Sequence, residues 1–365
     1  MLGYLHGRVE KIIRQDFGVT EIIVRNKQRI SRAINYDFLT GPVAVGDTVL
    51  INTTAEELAL GSGGYDYVIN NLKRKEQFVS GPGHIMKLRY TPFQFKVLSV
   101  EEEGSPYQQI FNEKVSLEKT PVIIGTLHSM LAPIAFAFAE SSKKKLRLIY
   151  IMTDGAALPL AFSKSVRELL KKGLIHGTVT AGNAFGGDLE AVNIYSALLA
   201  AKWVLKADCI VVSMGPGIVG TGTKWGFSGI EQGQIINAVV GLDGIPIAVP
   251  RISFADPRPR HRGLSHHTIT VLKNVALAPA IVPLALMERE KLAIIINQWE
   301  KNEINFHKLV IKDIAQAMDA LNQSGLSLKT MGRDLEEDRE FFACCLAAGL
   351  VGSDLINEAC GADSP

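Results

Sequence analysis

Two regimes of hydrophobic patterning divide the chain. In the first, short segments rich in β-branched residues recur at close spacing: Tyr4–Ile13, Thr20–Val24, Ile30–Ile34 and Thr48–Thr53. Turn signals separate them at Asp16-Phe17-Gly18, Gly41-Pro42 and Gly46-Asp47. The run Gly61-Ser62-Gly63-Gly64 leads into Tyr65–Ile69, and Ile85–Tyr90 and Phe93–Val100 follow. This spacing predicts a small all-β barrel or sandwich over residues 1–110, with OB-like and SH3-like barrels both open. The polar stretch Glu101–Gln109 is the expected linker.

From Pro121 the period changes. Apolar strands are predicted at Val122–Thr126, Leu146–Met152, Gly177–Thr180, Cys209–Met214, Pro246–Arg251, Ile281–Leu286 and Leu309–Ile311. Helical patterns near 129–140, 157–171, 188–204, 230–241, 265–276, 288–300 and 313–323 alternate with them. Continuous Val/Ile-rich strands covered by helices on both faces predict a doubly wound, mostly parallel, Rossmann-like α/β domain over 115–330. A helical segment is expected within 331–365, over Leu335–Asn357.

Composition fits this picture. The chain has 365 residues, with 39 Lys and Arg against 37 Asp and Glu, so the net charge is 39 − 37 = +2. An apolar share of 47% excludes a wholly disordered chain. The charge balance disfavours a dedicated nucleic-acid or anionic-membrane binder. The basic stretches Arg25–Arg32 and Lys73-Arg74-Lys75 lack interleaved aromatics and read as solvated faces. The four cysteines, Cys209, Cys344, Cys345 and Cys360, lack metal-ligand spacing and are expected to be reduced thiols. The N-terminus has no signal-peptide core, and the apolar stretches Met130–Ala139 and Val275–Met287 are short of a bilayer span. A cytoplasmic protein without membrane contact is expected.

In an open parallel sheet, ligands bind beyond the carboxyl ends of the strands, where loops and helix N-termini converge. The loop Gly215–Gly229 follows one such strand. It holds six glycines, including Gly215, Gly217, Gly220 and Gly222, with Thr221, Thr223, Ser228 and Lys224. Glycines let backbone N–H groups approach an anion, and hydroxyls add donors. The loop lacks GK[ST], so it is not a Walker loop, and it fits the dinucleotide fingerprint poorly.

The second feature follows the next strand. Asp256-Pro-Arg-Pro-Arg-His-Arg-Gly-Leu-Ser-His-His-Thr268 holds Arg258, Arg260, Arg262, His261, His266 and His267. Two prolines are expected to keep it extended, with guanidiniums on one side to grip a phosphate. Ser265 is a predicted N-cap for a helix beginning at His266. His266 or His261 is the candidate acid/base, and Asp154 and Asp188 are candidates to orient a hydroxyl or a water. Capping the following helices is the simpler role for both aspartates, and capping or packing for His128. A metal held by these histidines and aspartates stays open, although adjacent helical histidines point about 100° apart.

Several of these runs resemble an uncharacterised bacterial family, domain-of-unknown-function family 3866. They are Gly46-Asp-Thr-Val-Leu-Ile-Asn-Thr-Thr-Ala-Glu-Glu-Leu, Gly61-Ser-Gly-Gly-Tyr-Asp-Tyr-Val, Met152-Thr-Asp-Gly-Ala-Ala-Leu-Pro, Ser213-Met-Gly-Pro-Gly-Ile-Val-Gly-Thr-Gly-Thr and Arg260-His-Arg-Gly-Leu-Ser-His-His-Thr. The resemblance implies a bacterial cytoplasmic protein and assigns no chemistry or catalytic residue.

Two function classes remain. One is an enzyme binding a phosphorylated or nucleotide-like small molecule at the glycine loop and the Arg/His segment. The alternative is a non-catalytic sensing or regulatory module with a protein or RNA partner on the β-domain, although a nucleic-acid partner is disfavoured by charge. The expected partners are an anionic small molecule and further copies of the chain, with Phe341–Leu355 a conceivable interface. Cofactors and metal stay unassigned. Position sharpens the charge argument: 13 of the 33 glycines lie in residues 177–244, where eight residues are charged. Residues 257–267 then hold three Arg, three His and no acid.

Overall fold

The structure, a computed structural model, describes residues 2–58 and 63–362, the last three by backbone alone. Gly61 and Ser62 of the expected turn, and the Cys360 side chain, lie outside the described residues. By contact the chain forms two units, residues 1–82 with 88–96, and residues 83–87 with 97–365.

The first unit is a closed five-stranded barrel of β1 (Tyr4–Asp16), β2 (Val19–Arg25), β3 (Ile30–Tyr36), β4 (Thr48–Asn52) and β5 (Asp66–Asn71). Its order is β1-β2-β3-β5-β4, closed by β4 pairing with β1, and β3 runs parallel to β5. That order settles the barrel as OB-type. β1 runs 13 residues and its ladder with β2 shifts register between Val9 and Lys11 and between Ile12 and Arg14. Such shifts bend a strand enough to pair on both sides. Alternation turns Val9, Ile22, Val24, Ala33, Val49, Ile51 and Val68 into one apolar core. The strands expected at Ile85–Tyr90 and Phe93–Val100 shorten to β6 (Ile85–Lys87) and β7 (Phe95–Val97), and neither joins the barrel.

The second unit is built on an eight-stranded, all-parallel sheet. Its strands are β8 (Pro121–Ile124), β9 (Leu148–Thr153), β10 (Thr178–Ala181), β11 (Leu189–Ala191), β12 (Cys209–Met214), β13 (Ile245–Ala248), β16 (Ile281–Ala285) and β17 (Lys308–Lys312). Between β13 and β16 the two-residue strands β14 (Ile252–Ser253) and β15 (Gly263–Leu264) pair antiparallel. The sheet order is β11-β10-β9-β12-β8-β13-β16-β17. β12 and β13 therefore lie on either side of β8, so the loops that follow them meet at one edge. The central strands β8, β9 and β12 are buried throughout, as continuous apolar runs require. Helices 131–141, 164–171, 315–323 and 339–362 pack together on one face, and 194–204, 231–241 and 266–275 on the other.

Two helical expectations are corrected. The pattern at 157–171 yields a helix only over Lys164–Lys171, because Pro159 shapes a short turn and Ser163 caps the helix through Val166 N. The pattern at 188–204 contains edge strand β11, and its helix starts at Ile194, capped by Asn193. Among the described residues one helix, Arg339–Ala359, is long and apolar enough to cross a membrane, and 67% of its apolar window is buried within the chain. Cys344 and Cys345 on it and Cys209 on β12 are free, buried thiols. Packing against helix 131–141, β8 and β16 accounts for this apolar face.

Candidate functional site

The segment after β13 is an excursion of the β14–β15 hairpin. Ser265 N bonds to Arg251 O, and Arg251 N to Thr268 Oγ1, closing the base of the excursion. Within it Pro259–His261 makes a single 3₁₀ turn instead of staying extended. Proline fits the first position of a helical turn because its φ is already set and no N–H is lost there. The turn splits the arginines. Arg258 and Arg260 face a cavity of about 140 Å³, whereas Arg262 turns back to donate to Phe254 O. Arg262 is therefore not part of the clamp.

The cavity is lined by Arg251, Arg258 and Arg260, by His261 and His267, and by Ile218, Val219, Gly220, Gly222 and Met331. Its volume equals that of about four or five water molecules at ~30 Å³ each, the scale of one small oxyanion. The two motifs that patterning singled out thus share one pocket.

Its charge is unbalanced. Asp256, whose side chain is fully buried, accepts from Arg258 Nε at 2.8 Å and Nη2 at 2.7 Å, and lies 3.4 Å from Arg251 Nη2. Arg333 reaches Asp256 at 3.7 Å and Asp338 at 2.8 Å. Asp338 also accepts from Ser253 Oγ. Among the described residues Arg260 makes no hydrogen bond or ion pair. Four guanidiniums against two carboxylates leave 4 − 2 = +2 around the pocket. Hydrogen bonding from Arg258 holds Asp256 well below the usual carboxylate range. Burial lowers Arg251 to about 10, with the Asp256 charge acting against it.

Burial and the nearby arginines push all three histidines toward the neutral form. Burial, then the charge of Arg251, brings His261 down to about 3. Burial, then His266, brings His267 to about 3. Burial and Arg260 also lower His266. His261 Nδ1 lies 2.7 Å from Ser265 Oγ, which caps the helix through His267 N. His267 stacks on Phe227 at 3.8 Å. His261 and His267 face the cavity and His266 does not line it, so His267 takes the place expected of His266.

The glycine loop contributes backbone rather than hydroxyls. Thr221 and Thr223 bond each other at 2.9 Å, and Thr223 Oγ1 accepts from Gly226 N. Ser228 Oγ accepts from Val219 N, and Lys224 lies over Trp225 at 5.0 Å. These four side chains shape the loop and leave the pocket to Gly220 and Gly222. Gly222 has φ +79°, and a Cβ there would meet the Arg260 guanidinium at 3.6 Å. Gly215 packs on Ala157 O, where a Cβ would come within 2.3 Å, and Gly217, at φ +103°, makes a turn; neither lines the cavity.

The two aspartates lie elsewhere. Asp188 accepts from Thr178 N and Oγ1 at the amino end of β10, away from the ligand edge, and caps no helix. Parallel β11 brings the chain back to that end. Asp154 accepts from Asn183 N and belongs to a second cluster with Thr153 and Glu231. Burial, opposed by the Thr153 hydroxyl and assisted by the Asp154 charge, raises Glu231 to about 7. Beside it, buried Lys87 donates to Gly182 O, Ala184 O and Ala191 O and holds that loop. His128 is half-buried between Ser163 Oγ at 2.7 Å and Met214 O at 3.2 Å, a packing role.

Sequence reasoning missed Arg251, Met331, Phe227 and Glu231. Arg251 carried a signal, being a basic residue directly at the carboxyl end of an apolar strand. Met331 comes from a turn nearly 80 residues downstream, which no local pattern joins to the pocket.

Fold and site together define an OB-type barrel joined to a Rossmann-like domain with an arginine–histidine pocket at the carboxyl edge of its sheet. The model of the family described as protein of unknown function DUF3866 matches residues 32–349, and the chain belongs to that family. A search of curated proteins finds no match.

Proposed function

We propose that the α/β unit is an enzyme domain that binds a phosphorylated or nucleotide-like small molecule by its anionic group in this pocket. The observation that carries the reading is Arg260, an exposed guanidinium without a counter-ion among the described residues, beside a buried Arg251 whose carboxylate is shared with two other arginines. Uncompensated guanidiniums around a small concave site favour a bidentate oxyanion. Gly220 and Gly222 let the backbone come close, and the rest of the ligand extends outward over Val219 and Met331. His261 and His267 border the bound anion from the cavity wall. Arg251 and Arg260 stabilise charge that develops on it.

The test is thermal shift against a panel of phosphometabolites, followed by turnover assays on the compounds that stabilise. The wild type gains stability with at least one phosphorylated compound. Arg260→Ala weakens that ligand about 10- to 100-fold, the worth of a charge-assisted hydrogen bond pair. The reading fails if no ligand stabilises the wild type, or if the variant responds as it does.

A second reading rests on the barrel. Its cavity of about 590 Å³ is lined by Phe38, Phe78, Phe93 and Phe95 together with Arg74, Lys75 and Lys96. Folding thus supplies the aromatics that the linear basic stretch lacks, a combination suited to stacking and neutralising single-stranded RNA. Salt-sensitive RNA binding that Phe78→Ala abolishes supports this reading; its absence leaves the small-molecule reading alone.

A further inference from the structure

We infer that His261, His266 and His267 form a site for one divalent transition ion of the zinc class, opening on the anion pocket. The inference deepens the proposed function, and its test does not depend on it. The 3₁₀ turn and the β14–β15 hairpin return His261 to the helix start, beside His266 and His267. Ring centroids lie 4.8 Å apart for His261–His266, 4.9 Å for His261–His267 and 4.3 Å for His266–His267. One nitrogen from each ring lies within 4.8 Å of the others. The helical separation expected of adjacent histidines is overcome because they occupy the first turn, where His267 is turned aside by its stack on Phe227.

Two further observations point to a ligand. His266 Nε2 and His267 Nδ1 are both buried without a hydrogen-bond partner among the described residues. His267 is itself 5% exposed. Ser265 Oγ fixes the His261 ring through Nδ1 and leaves Nε2 as the remaining donor, an outer hydrogen bond of the kind that orients metal-binding imidazoles.

Three imidazoles match the protein donor set of a catalytic zinc site, which keeps its fourth position for water or substrate. Zn–N bonds of about 2.0–2.1 Å place tetrahedral nitrogens ~3.3 Å apart, so the rings close by up to about 1.5 Å on binding. Half-buried His266 has the freedom to do so. The arginines oppose a cation in isolation. A phosphate in the pocket would offset both, so ion and anion strengthen each other's binding reciprocally.

The experiment uses the full chain, stripped with a chelator and titrated with Zn²⁺ by calorimetry and with Co²⁺ by visible absorption, with and without orthophosphate. One ion binds per chain, with a tetrahedral Co²⁺ spectrum. His261→Ala and His267→Ala each weaken it at least ~10-fold. Arg260→Ala leaves the ion in place while weakening phosphate. If either alanine variant fails to fold, Asn at the same position reports instead. No stoichiometric ion, or equal binding by folded histidine variants, overturns the inference. Phosphate binding by the stripped protein in that case leaves the anion reading standing, so the two failures are distinguishable.

Discussion

The imidazole of His267 lies flat on the phenyl ring of Phe227, centroids 3.8 Å apart and planes within 2°. Phe227 also bridges to Gly220 across the glycine loop. This stack couples the two segments that form the pocket. Phe227→Leu keeps most of the buried volume and loses the aromatic face. Stability falls by about 1 kcal/mol, as for other volume-conserving swaps, while phosphate affinity falls several-fold more than that of a distant surface variant. Chemical denaturation and ligand titration on the same preparation separate the two effects.

Much of this architecture was legible because its signals are local. β12 emerges at its predicted bounds, Cys209–Met214, since a fully buried parallel strand is a continuous apolar run. The N-cap at Ser265 was equally readable. Arg262 and Asp188 were misplaced for one shared reason. Their side chains are directed by turns that form only in context, a 3₁₀ turn at Pro259 and the parallel return to β11. The glycine loop lines the pocket through Gly220 and Gly222, whereas Thr221 and Thr223 satisfy each other, as short-range hydroxyls in turns often do.

Asp256 is the keystone carboxylate of the arginine cluster. Asp256→Asn leaves Arg258 without its bidentate partner and Arg251 without its counter-charge. Removing one member of a buried ion pair costs about 3–5 kcal/mol. The wild type shows the same dependence on pH. Asp256 is held below its ordinary value, so its contribution is present at neutral pH and is lost as pH falls through and below the usual carboxylate range. Denaturant midpoints between neutral and acid pH converge for wild type and variant.

Glu231 gives the opposite sign. Its folded-state value is raised from 4.5 to about 7. The folded chain therefore holds a proton that the unfolded chain releases across this window, and stability is lost as pH rises through it. Glu231→Gln keeps the bond from Thr153 and removes the titration. Its melting temperature exceeds that of the wild type by a few degrees at about pH 8, and the advantage vanishes near pH 5. Equal differences at both values would show that Glu231 does not titrate there.

The central claim is that the pocket holds an oxyanion, and a crystal structure of the protein grown with orthophosphate tests it most directly. The account predicts tetrahedral density within about 2.7–3.2 Å of guanidinium nitrogens of Arg260 and Arg251, against Gly220, Gly222 and His267. Density absent from the pocket at saturating phosphate, with Arg260 paired to an acidic side chain, would contradict it.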